Sequence, residues 1–180
     1  MTTVRRTTNE TDVTVELEVG ATSPAISVDT TDAFFDHMVA TLARYAGCSL
    51  TVRATGDLPH HLVEDVAITL GRAVAEATPA TCTRYGTATI PMDDALVTAS
   101  VDLGGRAFWG GAVPDATYDH VLRSFAQAAG ATLHVVVVRG EDPHHVTEAA
   151  CKAVGLALRH ALADDGAVFS TKGSVRWEVG

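Results

Sequence analysis

The spacing of hydrophobic residues changes repeatedly along the first half of the chain, and each change predicts a new element of secondary structure. Alternating polar and apolar side chains predict a half-buried strand, whereas apolar side chains three and four residues apart predict a helix. The predicted strands are residues 11–19 and 49–55, and the predicted helices are residues 32–45 and 60–77. Thr31 or Asp32 would cap the first helix, Gly47 would end it, and Pro59 suits the start of the second.

The second half of the chain repeats this order of elements. Its predicted strands are residues 87–90, 96–103, 108–113 and 132–138, and its predicted helices are residues 118–129 and 143–162. Turns that contain Pro91 and Gly104–Gly105 would separate the first three of these strands. The pattern predicts an α+β fold and one domain over residues 1–180. That domain would consist of two related halves, about residues 1–83 and 84–174, each a small sheet with two helices.

Composition and charge narrow the classes of function. Of the 180 residues, 47% are hydrophobic, which predicts a globular chain with a sizeable core. The formal net charge of −9 argues against a nucleic-acid partner, because nucleic-acid binding requires a basic surface. No apolar run reaches the length of a membrane span, and the N-terminus lacks the apolar stretch of a signal peptide. The 3 cysteines do not form the even set of a disulfide framework, so we expect a reducing, cytoplasmic location.

A Pro-His-His-x-x-Glu motif occurs twice, over residues 59–64 and 143–148. An Asp-His pair precedes each copy at nearly the same distance, at residues 36–37 and 119–120. Imidazole and carboxylate groups are the ligands of divalent ions such as Mn, Fe and Zn. In each copy the first histidine and the glutamate share one helix face, while the second histidine points about 100° away around the helix. The duplicated motif therefore predicts a site with two metals or two related half-sites.

For several polar residues, a purely structural role competes with a functional one. A single motif of this kind is compatible with chance or with a helix cap, but two copies with matched upstream histidines favour a metal site. His134 and His160 have no counterpart in the other half and are interpreted as structural. Asp65 also lacks a counterpart, and a favourable charge at a helix N-terminus explains it.

Two arginines and a pair of aspartates lie beside turns. Arg84 and Arg106 lie next to glycine turns, where an arginine can bind a phosphate in bidentate fashion, although spacing alone favours solvated arginines. Asp93–Asp94 is either a turn or a catalytic carboxylate, and the residues alone leave both interpretations open. The sequence lacks a Walker loop, a G-x-S-x-G motif and a G-x-G-x-x-G motif that opens a helix, so nothing supports a nucleotide-binding or acyl-enzyme function.

Six short motifs together resemble the imidazoleglycerol-phosphate dehydratase family. They are FFDHM (34–38), HHLVED (60–65), PMDDA (91–95), DLGGR (102–106), HHVTEA (144–149) and STKG (170–173). The resemblance extends from about Arg6 to Gly173. It implies an enzyme of histidine biosynthesis that dehydrates imidazole glycerol phosphate to imidazole acetol phosphate with two Mn²⁺ ions per active site. It also implies a duplicated fold similar to domain 2 of ribosomal protein S5.

The resemblance implies a role for individual residues. The metal ligands would be His37, His60, His61, Glu64, His120, His144, His145 and Glu148. The catalytic residues would be Glu64, Glu148, Asp93 and Lys152. The substrate-binding residues would be Glu10, Arg84, Arg106, Ser170, Thr171 and Lys172. Which carboxylate acts as acid and which as base stays open.

The two halves raise the question of assembly. If each half presents its ligands at its own end, the sets would lie too far apart to share a substrate, and a neighbouring chain would have to complete the site. The family resemblance implies the same arrangement, with sites at subunit contacts in trimers that build a 24-subunit shell. We therefore expect a homo-oligomer whose assembly is linked to metal binding.

The chain departs from the family pattern near the proposed ligands. Leu58–Pro59 stands where an Asp-Asp pair usually precedes the first His-His, Thr41 replaces a common glutamine, and the stretch of residues 114–119 is short. No departure removes a ligand. Two other functions compete with the dehydratase, namely a non-catalytic metal-binding protein on the same scaffold and a metal-dependent lyase for a different phosphorylated azole.

Overall fold

The computed structural model describes residues 1–168, in which one order of elements occurs twice. The first half contains β1 (Thr2–Thr7), β2 (Thr11–Glu18), β3 (Ile26–Asp29), α1 (Ala33–Ala46), β4 (Ser49–Gly56) and α2 (Pro59–Ala77). The second half contains β5 (Tyr85–Met92), β6 (Ala95–Asp102), β7 (Phe108–Gly111), α3 (Ala116–Ala128), β8 (Thr132–Arg139) and α4 (Pro143–Ala161). The predicted α+β duplication is therefore confirmed.

The two sheets have the same topology. The strand order is β1-β2-β4-β3 in the first sheet and β5-β6-β8-β7 in the second. In each sheet the first three strands of this order are antiparallel, and the last strand pairs in parallel with its neighbour. The parallel pair requires a crossover, which α1 provides in the first half and α3 in the second. The crossover helix thus begins directly after the short parallel strand, where His37 and His120 are found.

Local sequence signals explain most element boundaries. The alternation in β2 buries every second side chain, as predicted. Asp32 caps α1 by accepting hydrogen bonds from the Phe34 and Phe35 backbone N–H groups, and Gly47 ends it in the left-handed conformation at φ 69°. Asp142 caps α4, whereas α2 begins at Pro59 after Leu58 with no side-chain cap.

The sequence pattern failed at short or polar strands. It missed β1, in which no side chain is fully buried, and β3, which has 4 residues. Pro91 was predicted to lie in a turn, but it lies inside β5 and is paired with Leu96. β5 is the edge strand of its sheet, where the lack of a backbone N–H leaves no hydrogen bond broken.

The helices of one half pack on those of the other. α1 packs against α4 and α2 packs against α3, while the inner faces of both sheets cover the helices. Each helix pair meets at a glycine. A Cβ atom at Gly71 in α2 would overlap the carbonyl oxygen of Phe125 in α3, and a Cβ atom at Gly155 in α4 would overlap that of Leu42 in α1. These glycines therefore set the close approach of helices that belong to different halves.

One polar network distinguishes the two halves. Asp65 in α2 is buried, and its carboxylate accepts hydrogen bonds from Thr11 and from Arg6, the latter at 2.9 Å. Ala149 stands at the corresponding place in α4 and is fully buried among apolar side chains. The interpretation of Asp65 as a simple helix N-terminal charge is thus replaced by a buried, hydrogen-bonded carboxylate that joins α2 to its sheet.

Gly71→Ala should destabilise the protein, although alanine is the better helix former by about 1 kcal/mol. The added methyl group must displace the α3 backbone, so we expect a net loss of about 2 kcal/mol in the free energy of unfolding. Urea unfolding would measure it. Arg72→Ala, at the exposed neighbouring position, serves as the control and should change stability little. Equal stability of Gly71→Ala and the unmodified chain would contradict the close-packing argument.

Candidate active site

The first cluster of candidate ligands consists of His60, Glu64 and His120. His60 and Glu64 lie one turn apart at the start of α2, and His120 comes from α3 in the other half. One ligand atom from each residue can be chosen so that all lie within 4.8 Å of one another. The Glu64 Oε1 atom lies 3.2 Å from His120 Nε2, and the rings of His60 and His120 are stacked with centroids 5.6 Å apart.

The second cluster consists of His37, His144 and Glu148 and is the counterpart of the first. His144 and Glu148 lie at the start of α4, and His37 comes from α1 in the first half. The Glu148 Oε2 atom lies 3.5 Å from His144 Nε2 and 3.8 Å from His37 Nε2. Each cluster therefore combines a motif from one half with the upstream histidine of the other half.

The aspartates that precede the upstream histidines explain how those histidines are aimed. Asp36 accepts hydrogen bonds from the backbone N–H and hydroxyl of Thr30, and Asp119 accepts one from the backbone N–H of Val113. Each aspartate thus fastens the crossover helix to the segment before it. The neighbouring histidine is left facing the partner helix.

Each cluster is formed by residues near the N-termini of two helices, α2 and α3 for the first cluster and α4 and α1 for the second. The ring of Phe34 lies 5.5 Å from the ring of Tyr118 and 5.1 Å from the ring of His144, measured between centroids. Tyr118 is two residues before His120 and is buried, which raises the pKa of its hydroxyl. Through Phe34, the start of α1 therefore contacts the starts of both α3 and α4.

The second histidine of each motif is turned away from its cluster. His61 Nδ1 lies 3.0 Å from Asp57 Oδ1 and 3.5 Å from Glu10 Oε2. His145 Nδ1 lies 2.5 Å from Asp94 Oδ1. The hydrogen bond that the imidazole donates to Asp57 raises the pKa of His61, and the one donated to Asp94 raises the pKa of His145.

Lys152 makes the two clusters unequal. Its ammonium group lies 2.9 Å from Glu148 Oε1, and the side chain also contacts Met92 and the ring of Tyr45. Burial opposes ionisation of Glu148, but Lys152, followed by His37 and His144, lowers the pKa of its carboxyl below the usual value. Ile68 stands at the corresponding place in α2, so that helix offers Glu64 no such cation.

The predicted phosphate-binding arginines lie far from both clusters in one chain. The backbone N–H of Arg84 binds the Ala161 carbonyl at the C-terminal end of α4, and α4 is about 28 Å long. Arg106 lies beside Thr132, at the opposite end of β8 from the loop that leads to His144. The structure therefore does not bring Arg84 or Arg106 together with the two histidine clusters of the same chain.

Arg84 has a partner that the sequence did not suggest. Its guanidinium binds Asp102 through two hydrogen bonds of 2.6 and 3.1 Å and stacks over the ring of Tyr85. Arg84 also has a left-handed backbone at φ 74°, which helps to turn the side chain toward Asp102. The interpretation of Arg84 as a solvated arginine is thus wrong.

The remaining predicted residues have simple positions. Asp93 occupies the β5–β6 turn, is exposed, and lies 3.5 Å from His145 Nε2. Glu10 occupies the β1–β2 turn. Ser170, Thr171 and Lys172 lie outside the described residues. His134 and His160 are both exposed, and His160 contacts the Thr87 carbonyl oxygen at 3.3 Å, so neither belongs to a cluster.

Sequence reasoning missed Asp57 and left Asp94 open between a turn and a catalytic carboxylate. The repeat contained a signal for Asp94, because it occupies the position in the second half that Glu10 occupies in the first. Asp57 lies four residues before His61, which is the spacing at which side chains meet on a helix. Asp102 carried no signal, because its partner Arg84 is 18 residues away.

Comparisons with known proteins identify the chain. A profile of the imidazoleglycerol-phosphate dehydratase family matches residues 30–158. Proteins of that name from Methanoculleus marisnigri and Dinoroseobacter shibae are 42% and 45% identical, each over 96% of this chain and 97% and 98% of their own length. The crystal structure of IGPD from Pyrococcus furiosus in complex with (S)-C348 matches with a TM-score of 0.84 and 40% identity, covering 95% of this chain and 99% of that one. The Staphylococcus aureus enzyme matches with a TM-score of 0.79 and 28% identity, covering 91% and 99%.

These similarities first define a class. The relatives are hydro-lyases, enzymes that remove water from a substrate, so this chain is an enzyme and the non-catalytic alternative loses its support. The chain belongs to the imidazoleglycerol-phosphate dehydratase family, which works in histidine biosynthesis. Within residues 1–168, no helix is long and apolar enough to cross a membrane.

The Arg84–Asp102 pair predicts a stability difference that depends on pH. The hydrogen bond from Arg84 lowers the pKa of Asp102 below its ordinary 3.8, so the carboxylate stabilises the fold above that pH. That stabilisation is lost as the pH falls through the lower pKa of the folded state. At pH 7, Asp102→Asn should reduce the free energy of unfolding by about 2 kcal/mol.

The difference between Asp102→Asn and the unmodified chain should shrink as the pH falls below 3.8. Urea unfolding over a pH series would measure it. Asp12→Asn is the matched control, because Asp12 pairs with Arg5 on the surface and should contribute far less. A difference that stays constant with pH would show that the ion pair is not its source.

Proposed function

We propose that this enzyme dehydrates imidazole glycerol phosphate to imidazole acetol phosphate with the help of divalent metal ions, Mn²⁺ being the expected ion. Family membership supports the reaction. The observation that carries the metal dependence is the pair of interleaved clusters, in which both halves contribute imidazole and carboxylate groups at helix N-termini. Such groups are the donor set of Mn²⁺ and related ions.

The separations between donor atoms fit a bound cation. Two ligands with bonds of about 2.1 Å at right angles to each other lie about 3 Å apart. Glu64 Oε1 and His120 Nε2 are 3.2 Å apart, and Glu148 Oε2 and His144 Nε2 are 3.5 Å apart. His120 Nε2 is also buried and forms no hydrogen bond with any part of residues 1–168. A buried nitrogen of this kind normally has a partner, and a cation would provide one.

The reaction needs more than a simple base. The hydrogen to be removed is not next to a carbonyl group, so the substrate is a very weak acid and a carboxylate alone would remove its proton slowly. When bound, the metal ions would act as Lewis acids for the charge that develops on the substrate imidazole. Binding of the substrate and transfer of protons would be carried out by side chains of this chain and of neighbouring chains.

The carboxylates divide by environment. Lys152 keeps Glu148 ionised and fixed, which suits a ligand. In α2, Ile68 stands in place of that lysine, and Asp93 is exposed at the β5–β6 turn, so both Glu64 and Asp93 are accessible to a substrate. We propose Glu64 and Asp93 as the first candidates for proton transfer and Glu148 as a metal ligand. Lys152 holds Glu148 in place, and Glu10 contacts the substrate beside His61.

Removal of the metal should abolish the dehydratase activity, and Mn²⁺ should restore it best. Direct assay with imidazole glycerol phosphate would measure this, before and after chelation. Glu64→Gln and Glu148→Gln should each lower kcat/KM at least about 100-fold at fixed Mn²⁺. Glu76→Gln is the control, because Glu76 lies on the same helix as Glu64 but pairs with Arg72 on the surface. Full turnover in metal-free protein would exclude this mechanism.

The positions of the arginines support a site shared between chains. Arg84 and Arg106 lie at the ends of α4 and β8 that are remote from the histidines. A phosphate-binding group is useful only beside the reacting imidazole, so the arginines of one chain would serve the clusters of another. The outer face of β8 exposes Val136 and Val138, each at 56%, which is unusual for a surface that meets only water.

We propose a homo-oligomer that completes each site from neighbouring chains, and a 24-subunit shell of trimers is the expected form. The phosphate grip would consist of Arg84, Arg106 and the predicted residues Ser170, Thr171 and Lys172. In such an assembly His61 and His145 would complete clusters of a neighbouring chain, since neither reaches a cluster in its own. Asp102 would hold Arg84 until a phosphate competes for it.

Mixed oligomers would test the shared site. His60→Ala and Arg106→Ala should each be nearly inactive alone, because each damages every site. In a random one-to-one mixture, roughly a quarter of the sites would combine an intact His60 with an intact Arg106 from different chains, and activity should return to that level. Mass spectrometry would confirm mixing. No recovery in verified mixed oligomers would place both residues in one chain's site.

A further inference from the structure

The second histidine of each motif has the same partner type in both halves. The Nδ1 atom of His61 is held by Asp57 at 3.0 Å, and the Nδ1 atom of His145 is held by Asp94 at 2.5 Å. In each case the Nε2 atom faces away from that aspartate. For His145 this atom lies 3.5 Å from the exposed carboxylate of Asp93.

The two aspartates are not counterparts in the repeat. Asp57 belongs to the loop before α2, four residues before its histidine, whereas Asp94 lies in the β5–β6 turn, 51 residues before its histidine. The corresponding positions are occupied by Glu141 and Glu10. The same contact is therefore built twice from different places in the chain, which is not expected if it were only a remnant of the duplication.

A carboxylate at Nδ1 determines what the other nitrogen can do. A neutral imidazole carries one proton, and a carboxylate acceptor keeps that proton on Nδ1. The lone pair is then on Nε2, which is the form that binds a metal. The carboxylate also fixes the orientation of the ring.

We infer that Asp57 and Asp94 are positioning residues that keep the proton of His61 and His145 on Nδ1 and so present Nε2 as the metal-binding nitrogen. This inference rests on the proposed function, because it assumes that these histidines bind metal. It adds two residues outside the predicted ligand set on which metal affinity depends.

The two aspartates differ in a way that allows a sharp test. Asp94 uses both oxygens, since Oδ2 accepts the backbone N–H groups of Glu141 and Asp142 while Oδ1 holds His145. Asp57 uses one oxygen, since Oδ1 accepts both the Leu58 N–H and the His61 Nδ1–H. Asparagine has one acceptor oxygen and can therefore replace Asp57 but not Asp94.

In Asp94→Asn the amide oxygen would stay on the two backbone donors, and the NH₂ group would face His145. The imidazole must then accept a hydrogen bond at Nδ1, which moves its proton to Nε2 and blocks metal binding there. Asp57→Asn keeps its oxygen on both donors, so His61 should keep its form. The two substitutions remove the same charge and differ only in this geometry.

Calorimetric titration of the metal-stripped full chain with MnCl₂ would test the inference. Asp94→Asn should weaken the affinity for Mn²⁺ about 10- to 100-fold, whereas Asp57→Asn should change it much less. Thermal unfolding should be unchanged in Asp94→Asn, because the backbone hydrogen bonds persist, and lowered in Asp94→Ala, which loses them. Equal Mn²⁺ affinity of Asp94→Asn and the unmodified chain would overturn the inference.

A readout without metal separates this inference from the proposed function. Solid-state ¹⁵N NMR of metal-free, histidine-labelled protein at about pH 9 would report which nitrogen of each neutral imidazole carries the proton. The His145 signals, assigned with His145→Gln, should exchange roles in Asp94→Asn and not in Asp57→Asn. An unmodified chain that binds no Mn²⁺ yet shows these tautomers would refute the proposed function alone. A His145 proton on Nε2 in the unmodified chain would refute the positioning role.

Discussion

The candidate site depends on how closely the helices of the two halves approach each other. Gly71 and Gly155 let the backbone of each long helix contact that of a crossover helix, and no larger residue fits there. Each of these glycines lies about two helical turns after a motif glutamate. Glu64 faces His120, and Glu148 faces His37, in each case a histidine of the other half. Backbone contact between helices is stiff, so ligands attached near it are held at separations suited to one cation.

The duplication was readable from the sequence because it rests on local signals. Helix caps, alternation and the repeated His-His-x-x-Glu spacing are properties of short segments, and they placed α1, α2, α3 and α4 to within a few residues. The strands β1 and β3 were missed because they bury too little surface to create a pattern. A strand at the edge of a sheet owes its conformation to its neighbour, and that neighbour is not local in sequence.

The composition of each cluster could be predicted, but its pairing could not. Spacing singled out all six histidines and both glutamates of the motifs. It could not show that His37 meets Glu148 rather than Glu64, because that depends on which helices pack together. The same limit applies to the pairing of Asp94 with His145 and of Asp102 with Arg84, because the partners are far apart in sequence. Side chains that act through tertiary contact leave no periodic signal.

The asymmetry between the clusters shows how a duplicated scaffold can acquire distinct roles without losing its symmetry of fold. Lys152 lies four residues after Glu148 in α4, whereas Ile68 holds the corresponding position after Glu64 in α2. The buried Asp65 of α2 is replaced in α4 by Ala149. These exchanges keep the order of elements in each half but alter the charge around each carboxylate. Lys152 adds a positive charge beside Glu148, and Asp65 adds a buried negative charge in the helix of Glu64, so the two motif glutamates stand in different electrostatic surroundings. The charges near a carboxylate determine how readily it holds a proton, so single exchanges at such positions differentiate the two halves while the order of elements is kept.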